Sequence, residues 1–330
     1  MALIKNIAEL KQHLPLTASS QLVPDMARAE YEYLMPVLGD SLLNELQTAY
    51  DDDSLTEIQS RLLNHCRDVL APMAVMLDLP TRQVQLSDAG LMAFQNETSR
   101  KAFKWEYKEM QESLQRRGYD AMERLIVFLK KNRAEFPEWA LSPYHDAADF
   151  ALIRGGDELK AALRMDQPHR CYLLLKSLFQ QVADFYIRPT LGDAYYEALN
   201  TRLLSGTLQP EEKDPVIGLL RHLRFAAVHL AMSHATHQLS IRFSSNGFTV
   251  AERLTDDAEE GRKAASEQQL NRFAADMERS GQAYLQKVKM LLNANASAEQ
   301  FPEYFASPSY EAAQTSQQTV HNERTGFFIM

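Results

Sequence analysis

The chain has 330 residues, 44 of them acidic and 35 basic, and its formal net charge is −9 at neutral pH. No run of Lys and Arg stands out, which argues against nucleic-acid binding as the main function. The longest apolar stretch, residues 69–79, is interrupted by Pro72 and Asp78, so we expect no membrane span. The N-terminus carries Lys5, Glu9 and Lys11 without a long apolar segment, so we expect no signal peptide.

A series of short motifs occurs twice in the sequence, in the same order both times. The recurring motifs, each followed by its second occurrence, are Ala2-Leu3-Ile4 (Ala151-Leu152-Ile153), Leu62-Leu63-x-His65-x-Arg67 (Leu219-Leu220-x-His222-x-Arg224) and Phe136-Pro137-Glu138 (Phe301-Pro302-Glu303). The shift between occurrences grows only from 149 to 165. We interpret the chain as a tandem duplication of a domain-sized unit. The predicted division is 1–149, 150–310 and an extended C-terminal tail, 311–330.

Apolar residues at helical spacing predict the same helices in both units, in chain order. They are a short helix (7–14; 157–163), a longer one (22–38; 171–191), a long one (55–79; 215–239) and two closing helices (99–116 and 118–132; 264–280 and 283–293). The predicted fold class is therefore mainly α, a tandem pair of helical bundles, each with a β-hairpin arm.

A Pro-x-Leu-Gly-Asp corner is predicted to end the second helix of each unit. Its glycine can adopt the left-handed conformation that closes a helix without a Cβ penalty. Its aspartate is predicted to be the N-cap of the next helix, in preference to a catalytic acid. The residues assigned to these structural corners are Pro36, Gly39, Asp40, Pro189, Gly192 and Asp193.

The loop after each corner helix is acidic. The aspartates of 51–53 lack the Gly and the closing Glu of a calcium loop, so we interpret them as a solvated helix start. Ser54 with Glu57 is predicted to form a capping box, and Asp214 to cap a helix whose first turn contains Pro215.

Two segments are candidate interfaces with other chains. The hairpin of the second unit has an Asn-Gly turn between alternating apolar residues, and we assign Asn246, Gly247 and Phe248 to an interface. The polar tail ends in an apolar tip, which is either a frayed terminus or a docking peptide buried by a partner. The tip residues are Phe327, Phe328, Ile329 and Met330.

Four histidines of one predicted helix, His222, His229, His234 and His237, are the strongest candidate for a metal site. Imidazoles two turns apart on one helix lie about 10 Å from each other, too far for one ion. We therefore predict packing or interface histidines, with no metal and no cofactor. A soluble metal-dependent enzyme that uses the His222–His237 helix is kept as an alternative.

Trp105, Cys66 and Cys171 have no counterpart at the equivalent position of the other unit. The tryptophan is predicted to pack in the core or between domains. The cysteines are predicted to be buried thiols of a reducing compartment. Because the shared residues are caps, corners and core positions, the duplication argues against a duplicated active site.

The start of each unit carries a distinctive pattern. In the second unit, residues 157–166 precede a helix that ends in Tyr186-Ile187-x-Pro189-x-Leu191-Gly192, and the first unit has Ile7 to Lys11 followed by Tyr33 to Gly39. This pattern resembles the opening of tailed-phage head–tail connector proteins, small helical adaptors that form a ring beneath the portal. The whole layout, including residues 101–107 and the Phe-Pro exit, is similar to an uncharacterised prophage structural family.

The resemblance implies a structural virion protein without enzymatic activity. It implies a homo-oligomeric ring that docks on the portal protein, receives tail or stopper proteins and makes passive contact with packaged DNA, with no membrane partner. The expected localisation is the virion, after assembly in the host cytoplasm. The alternative within the same class is a tail-completion or stopper ring protein.

Overall fold

The computed structural model describes residues 2–14, 24–82, 84–87, 90–93, 104–145, 150–205, 215–238, 241–244, 247–250 and 266–312. Over these residues the fold is mainly α, as the sequence predicts. We call the described residues up to 145 the first half and those from 150 the second half.

Both halves show the same order of elements. The first half contains α1 (Ile7–His13), α2 (Met26–Ala29), a π-helical turn (Glu30–Leu34), α3 (Met35–Leu38), α4 (Asp40–Asp51), α5 (Glu57–Arg82), β1 (Val84–Ser87), β2 (Gly90–Ala93), α6 (Lys104–Lys131) and two 3-10 turns (Arg133–Glu135 and Pro137–Leu141). The second half contains α7 (Gly156–Ala162), α8 (Pro168–Val182), a π-helical turn (Ala183–Ile187), α9 (Arg188–Leu191), α10 (Asp193–Ser205), α11 (Pro215–Gln238), β3 (Ile241–Ser244), β4 (Gly247–Val250), α12 (Glu267–Asn295) and α13 (Pro302–Phe305).

The strands form two antiparallel pairs. Val84 lies opposite Ala93 in the first pair, and Ile241 lies opposite Val250 in the second. Each pair follows the long helix of its half, α5 or α11. The use of these strands as arms toward a neighbouring chain stays a prediction.

A widened helical turn interrupts the second predicted helix of each half. The Met35 N–H bonds to the Glu30 carbonyl five residues back, and the Arg188 N–H bonds to the Ala183 carbonyl. A proline follows one residue later in both halves. Because proline has no N–H and its ring crowds the preceding carbonyls, the regular ladder cannot pass through this point.

The two closing helices predicted in each half are one continuous helix, α6 or α12, so the predicted breaks near Gly118 and Gly281 are wrong. A Cβ on Gly118 would lie 2.7 Å from Met73, and one on Gly281 would lie 2.6 Å from Leu230. These glycines allow the long antiparallel helices α5 and α6, or α11 and α12, to approach each other closely. They are packing residues and do not end a helix.

The capping box predicted at Ser54 and Glu57 is wrong by two residues. The Gln59 N–H donates to Thr56 Oγ1 over 3.2 Å, and the Thr56 N–H donates to Gln59 Oε1 over 3.0 Å. Ser54 instead donates its hydroxyl to the Ala49 carbonyl. Asp214, the other predicted cap, lies outside the described residues.

The buried apolar side chains form one continuous cluster that passes through both halves. At the junction, the Tyr144 ring of the first half lies 5.3 Å from the Tyr172 ring of the second. The predicted boundary at 149 falls in residues 146–149, outside the described part of the chain. The halves therefore share a core where their described residues meet.

Candidate functional site

The predicted corner glycines lie at a close contact in each half. Gly39 and Gly192 have φ angles of 78° and 76°, in the left-handed region that favours glycine. A Cβ on Gly39 would lie 2.9 Å from Ser142 Cα, and one on Gly192 would lie 2.9 Å from Ser307 Cβ. The serine of the exit segment, Ser142 or Ser307, therefore packs on the corner in both halves.

Asp40 is the first residue of α4 and its N-cap is Gly39, so the prediction of Asp40 as an N-cap is wrong. This helix start has no side-chain cap, and the Gly39 carbonyl accepts the Leu43 N–H over 3.2 Å. Asp193 is likewise the first residue of α10. Because the glycine makes the non-helical bend, the backbone of the aspartate is already helical. Pro36 and Pro189 lie in the first turns of α3 and α9.

The histidines of α11 contact other protein groups, and His222 and His229 share the Tyr284 ring. The His229 ring bonds to the Phe225 carbonyl through Nδ1 over 2.7 Å, and His234 Nε2 lies 3.2 Å from the Tyr186 hydroxyl. The His222 ring stacks on Tyr284 at 5.8 Å. Among the described residues, no three His, Cys, Asp or Glu side chains form a group that could hold a metal ion.

The structure describes two of the predicted interface residues and both cysteines. Gly247 and Phe248 begin β4, whereas Asn246 and the tip residues Phe327, Phe328, Ile329 and Met330 lie outside the described residues. Cys66 is a buried free thiol, and burial raises its pKa. Cys171 is a half-buried free thiol.

A repeated arginine anchors the recurring Ala-Leu-Ile motif. Arg67 Nε donates to the Leu3 carbonyl over 2.9 Å, and Arg224 Nε donates to the Leu152 carbonyl over 3.0 Å. Both leucines are buried. A charge-assisted bond satisfies a backbone carbonyl that burial removes from water. The arginine of each half therefore fixes the buried Ala-Leu-Ile segment of that half.

A cluster of titratable side chains centres on His169 at the junction of the halves. Its ring is 2 % exposed, and its Nδ1 lies 2.6 Å from the Tyr144 hydroxyl and 3.1 Å from the Gly156 N–H. A backbone N–H can only donate, so Nδ1 is an acceptor and the ring proton resides on Nε2. The nearest carboxylate to Nε2 is Asp157, at 3.9 Å.

Glu123 of the first half caps helix α8 of the second half. The N-cap residue of α8, Gln167, has a φ of 54° and no side-chain cap bond. Glu123 Oε1 accepts the N–H groups of His169 and Arg170 over 2.9 Å and 3.0 Å. These are free amides of the first turn, where the helix dipole also favours a negative charge. A carboxylate from α6 thus replaces the local cap.

The family of the chain follows from comparison with known proteins. Residues 34–148 and 187–314 match the model of a family described as "Family of unknown function (DUF6712)". These segments cover well over half of the 330 residues. The chain belongs to this family. No curated protein and no solved structure matches it.

The two DUF6712 segments begin at equivalent points of the halves. Their first residues, Leu34 and Ile187, are the last residues of the two π-helical turns. The interval between the two segments contains α7 and α8. Helix α8 packs against α6, and Asp157 of α7 pairs with Lys130 of α6 at 2.6 Å. No helix in the described part of this DUF6712 chain is long and apolar enough to cross a membrane.

Burial keeps the junction histidine of the DUF6712 chain neutral. Desolvation, helped by Lys130, lowers the pKa of His169 to about 4. Burial also raises the pKa of Tyr144 and that of the Glu123 carboxyl. The hydrogen bond from Lys130 lowers the pKa of Asp157. At neutral pH the cluster therefore holds a neutral imidazole with an occupied Nδ1, an arrangement that orients the halves and is poorly suited to proton transfer.

Sequence reasoning missed Glu123 and His169. Their partners lie 46 and 25 residues away in sequence, so no local motif identifies the pairs. One usable signal was present: helix α8 starts at Gln167-Pro168 without the Ser, Thr, Asp or Asn that a helix usually supplies as its own cap. Such a start indicates that a cap comes from elsewhere.

Proposed function

We propose that the chain is a tandem duplication that serves as a structural virion protein, a head–tail connector that forms a ring below the portal around the DNA channel. Its partners are further copies of itself, the portal protein and the tail or stopper proteins. Its contact with packaged DNA is passive, and its place is the virion, after assembly in the host cytoplasm.

One observation carries the structural part of the proposal: the residues shared by the halves perform the same framework role in both. Gly39 and Gly192 form the corners. Gly118 and Gly281 allow the long helices to approach each other closely. Arg67 and Arg224 bond to the buried Ala-Leu-Ile segments. The titratable cluster at the junction is built from residues of both halves, with Glu123 and Tyr144 from the first and His169 from the second. A duplicated framework, with the junction cluster present only once among the described residues, supports a building block over an enzyme.

The proposal assigns the paired strands and the C-terminal tip to assembly. The strands β3 and β4 act as a hairpin arm, and Phe248 contacts a neighbouring chain. The apolar tip, residues 327–330, docks as a peptide on a partner. Substitution of Phe248 by Ser, or removal of residues 326–330, is expected to weaken the ring while the helical content is retained.

Electron microscopy of particles tests the proposed position. Portal-bearing heads incubated with the full chain are expected to acquire a ring of density below the portal, and the chain is expected in purified virions by mass spectrometry. A ring one layer further from the portal would favour the stopper alternative. A chain that stays monomeric beside portal rings and is absent from particles would contradict the proposal.

A further inference from the structure

The long helices carry a pair of equivalent basic sites. The contacts Gly118–Met73 and Gly281–Leu230 align α6 with α12 and α5 with α11. In this alignment His65 corresponds to His222, Arg124 to Lys287 and Val127 to Met290. Val127 and Met290 are 57 % and 71 % exposed, so each basic site has an exposed apolar neighbour one turn along the helix.

The site of the second half has the less compensated positive charge. His222 stacks on Tyr284 at 5.8 Å, and Lys287 Nζ lies 5.2 Å from the same ring. Burial, together with the nearby Lys287 and Arg221, lowers the pKa of His222, and no carboxylate contributes to this shift. In the first half, Asp68 lies beside His65 and bonds to His13 over 2.8 Å, whereas Phe225 occupies the corresponding position of the second half.

The complementary chemistry lies on α6 of the first half. Glu109, Met110 and Glu112 are exposed, and Met110 is 45 % exposed. The equivalent residues of the second half, Arg272, Phe273 and Ala275, lack the carboxylates. The first half also holds most of the acidic excess, because residues 1–149 have 23 acidic and 16 basic side chains, a net charge of −7 out of −9.

We propose that the basic surface of the second half, Arg221, His222, Lys287 and Met290, binds the acidic strip Glu109, Met110 and Glu112 of a second copy of this chain. The carboxylates meet the cations, and the two methionines supply apolar contact between them. The exposed Met290 disfavours a phosphate backbone as the occupant, because phosphate recognition has no use for an apolar side chain.

The contact joins unlike halves, so it is heterologous: each chain offers its strip to one neighbour and its basic surface to another. Heterologous contacts produce rings when their rotation closes. The inference rests on the proposed ring and adds to it the surfaces and the direction of the contact.

Charge exchange tests the contact in the full chain. Sedimentation velocity of the wild-type chain is expected to show self-association that weakens between 50 mM and 500 mM salt, since exposed charges are screened over about 10 Å at 0.1 M. Lys287→Glu and Glu109→Lys are each expected to raise the dissociation constant about tenfold. A mixture of the two single variants, or the double variant, is expected to recover most of the loss.

The duplication provides a matched control. Arg124→Glu alters the equivalent position of the first half and is expected to leave self-association unchanged. Circular dichroism checks that each variant retains its helices. The proposal is overturned if the wild type stays monomeric, if Arg124→Glu weakens association as much as Lys287→Glu, or if the exchanged pair fails to recover.

Two further outcomes separate this inference from the proposed function. A 24-base-pair duplex that binds the wild type and is lost in Lys287→Glu would assign the surface to DNA and overturn the contact between copies. Rings that form below the portal regardless of Lys287 and Glu109 would also overturn the contact, while leaving the connector proposal intact. Conversely, charge exchange as expected with no binding to portal-bearing heads would contradict only the connector.

Discussion

Burial changes the chemistry of single side chains at the junction. An ordinary histidine titrates near pH 6.5, whereas burial lowers the pKa of both His169 and His145 to about 4. Two groups on α7 oppose each other at His169: Asp157 raises its pKa, and Lys160 lowers it together with Lys130 of α6. The folded state therefore binds fewer protons at these histidines than the unfolded state between these pH values.

A pH dependence of stability follows for His169. Because its folded pKa lies below its unfolded pKa, the stability is fully present above about pH 6.5 and is lost as the pH falls toward 4. The shift corresponds to roughly 3 kcal/mol. His169→Asn keeps an acceptor near the Tyr144 hydroxyl and removes the titrating ring, so its free energy of unfolding is expected to depend less on pH over this window.

Urea unfolding at a series of pH values from 7 to 4 checks the prediction, with His237→Asn on an exposed histidine as the control. The raised pKa of Glu123 acts in the opposite direction, because its contribution declines as the pH rises through the folded value. Only the difference between each variant and the wild type therefore reports on the histidine. Parallel curves for His169→Asn and wild type would refute the assigned cause.

At the scale of elements, the long helix pair of each half depends on one glycine contact. A glycine inside a helical pattern is consistent with either a helix end or a close approach, and the sequence around Gly118 and Gly281 does not distinguish these. The distinction depends on the residue that packs against the glycine, and this residue lies on another helix. The available signal was that a glycine stands at the corresponding position of both long helices, α6 and α12.

Substitution by alanine tests the close approach. Gly281→Ala places a Cβ 2.6 Å from Leu230 and 3.3 Å from the Ala226 carbonyl, so we expect it to destabilise the chain by about 1–3 kcal/mol. Gly118→Ala meets only the flexible Met73 side chain, and its cost should be smaller. Gly218 lies in helix α11 with nothing within 4 Å of its added Cβ, so Gly218→Ala should stabilise by about 0.5–1 kcal/mol.

Urea denaturation gives the three values, and their order is the test. If Gly281→Ala were neutral or stabilising, the approach of α11 and α12 would not depend on the missing side chain. An increase in the free energy of unfolding for Gly218→Ala would show in the same experiment that helix propensity favours alanine where no packing contact opposes it.

At the scale of the whole molecule, the sequence predicted features that depend on neighbouring residues but not contacts between residues that are distant in the chain. Periodicity predicted the helices apart from the false breaks near Gly118 and Gly281, and the Gly of each corner predicted its φ, because both depend on neighbouring residues. The cap from Glu123 and the imidazole contact of Tyr144 join residues of different halves, and nothing in either segment specifies the other. The sequence therefore predicted a division of the chain into two units but not the core that the two halves share.

This shared core predicts that the two halves unfold together. Both tryptophans, Trp105 and Trp139, belong to the first half, so fluorescence reports that half, whereas far-ultraviolet circular dichroism reports the whole chain. Trp139 is fully buried and donates its indole N–H to the Val37 carbonyl over 2.9 Å, which makes it sensitive to loss of packing. The two signals are expected to give coincident transitions in urea.

A core substitution in the second half, which contains no tryptophan, makes the prediction decisive. Leu292 is fully buried on α12 of the second half, and Leu292→Ala should cost about 2–5 kcal/mol. If the junction couples the halves, the fluorescence midpoint falls by the same amount as the dichroism midpoint, although both tryptophans belong to the first half. If fluorescence keeps its wild-type midpoint while dichroism splits into two steps, the halves unfold independently and the continuous core does not transmit stability between them.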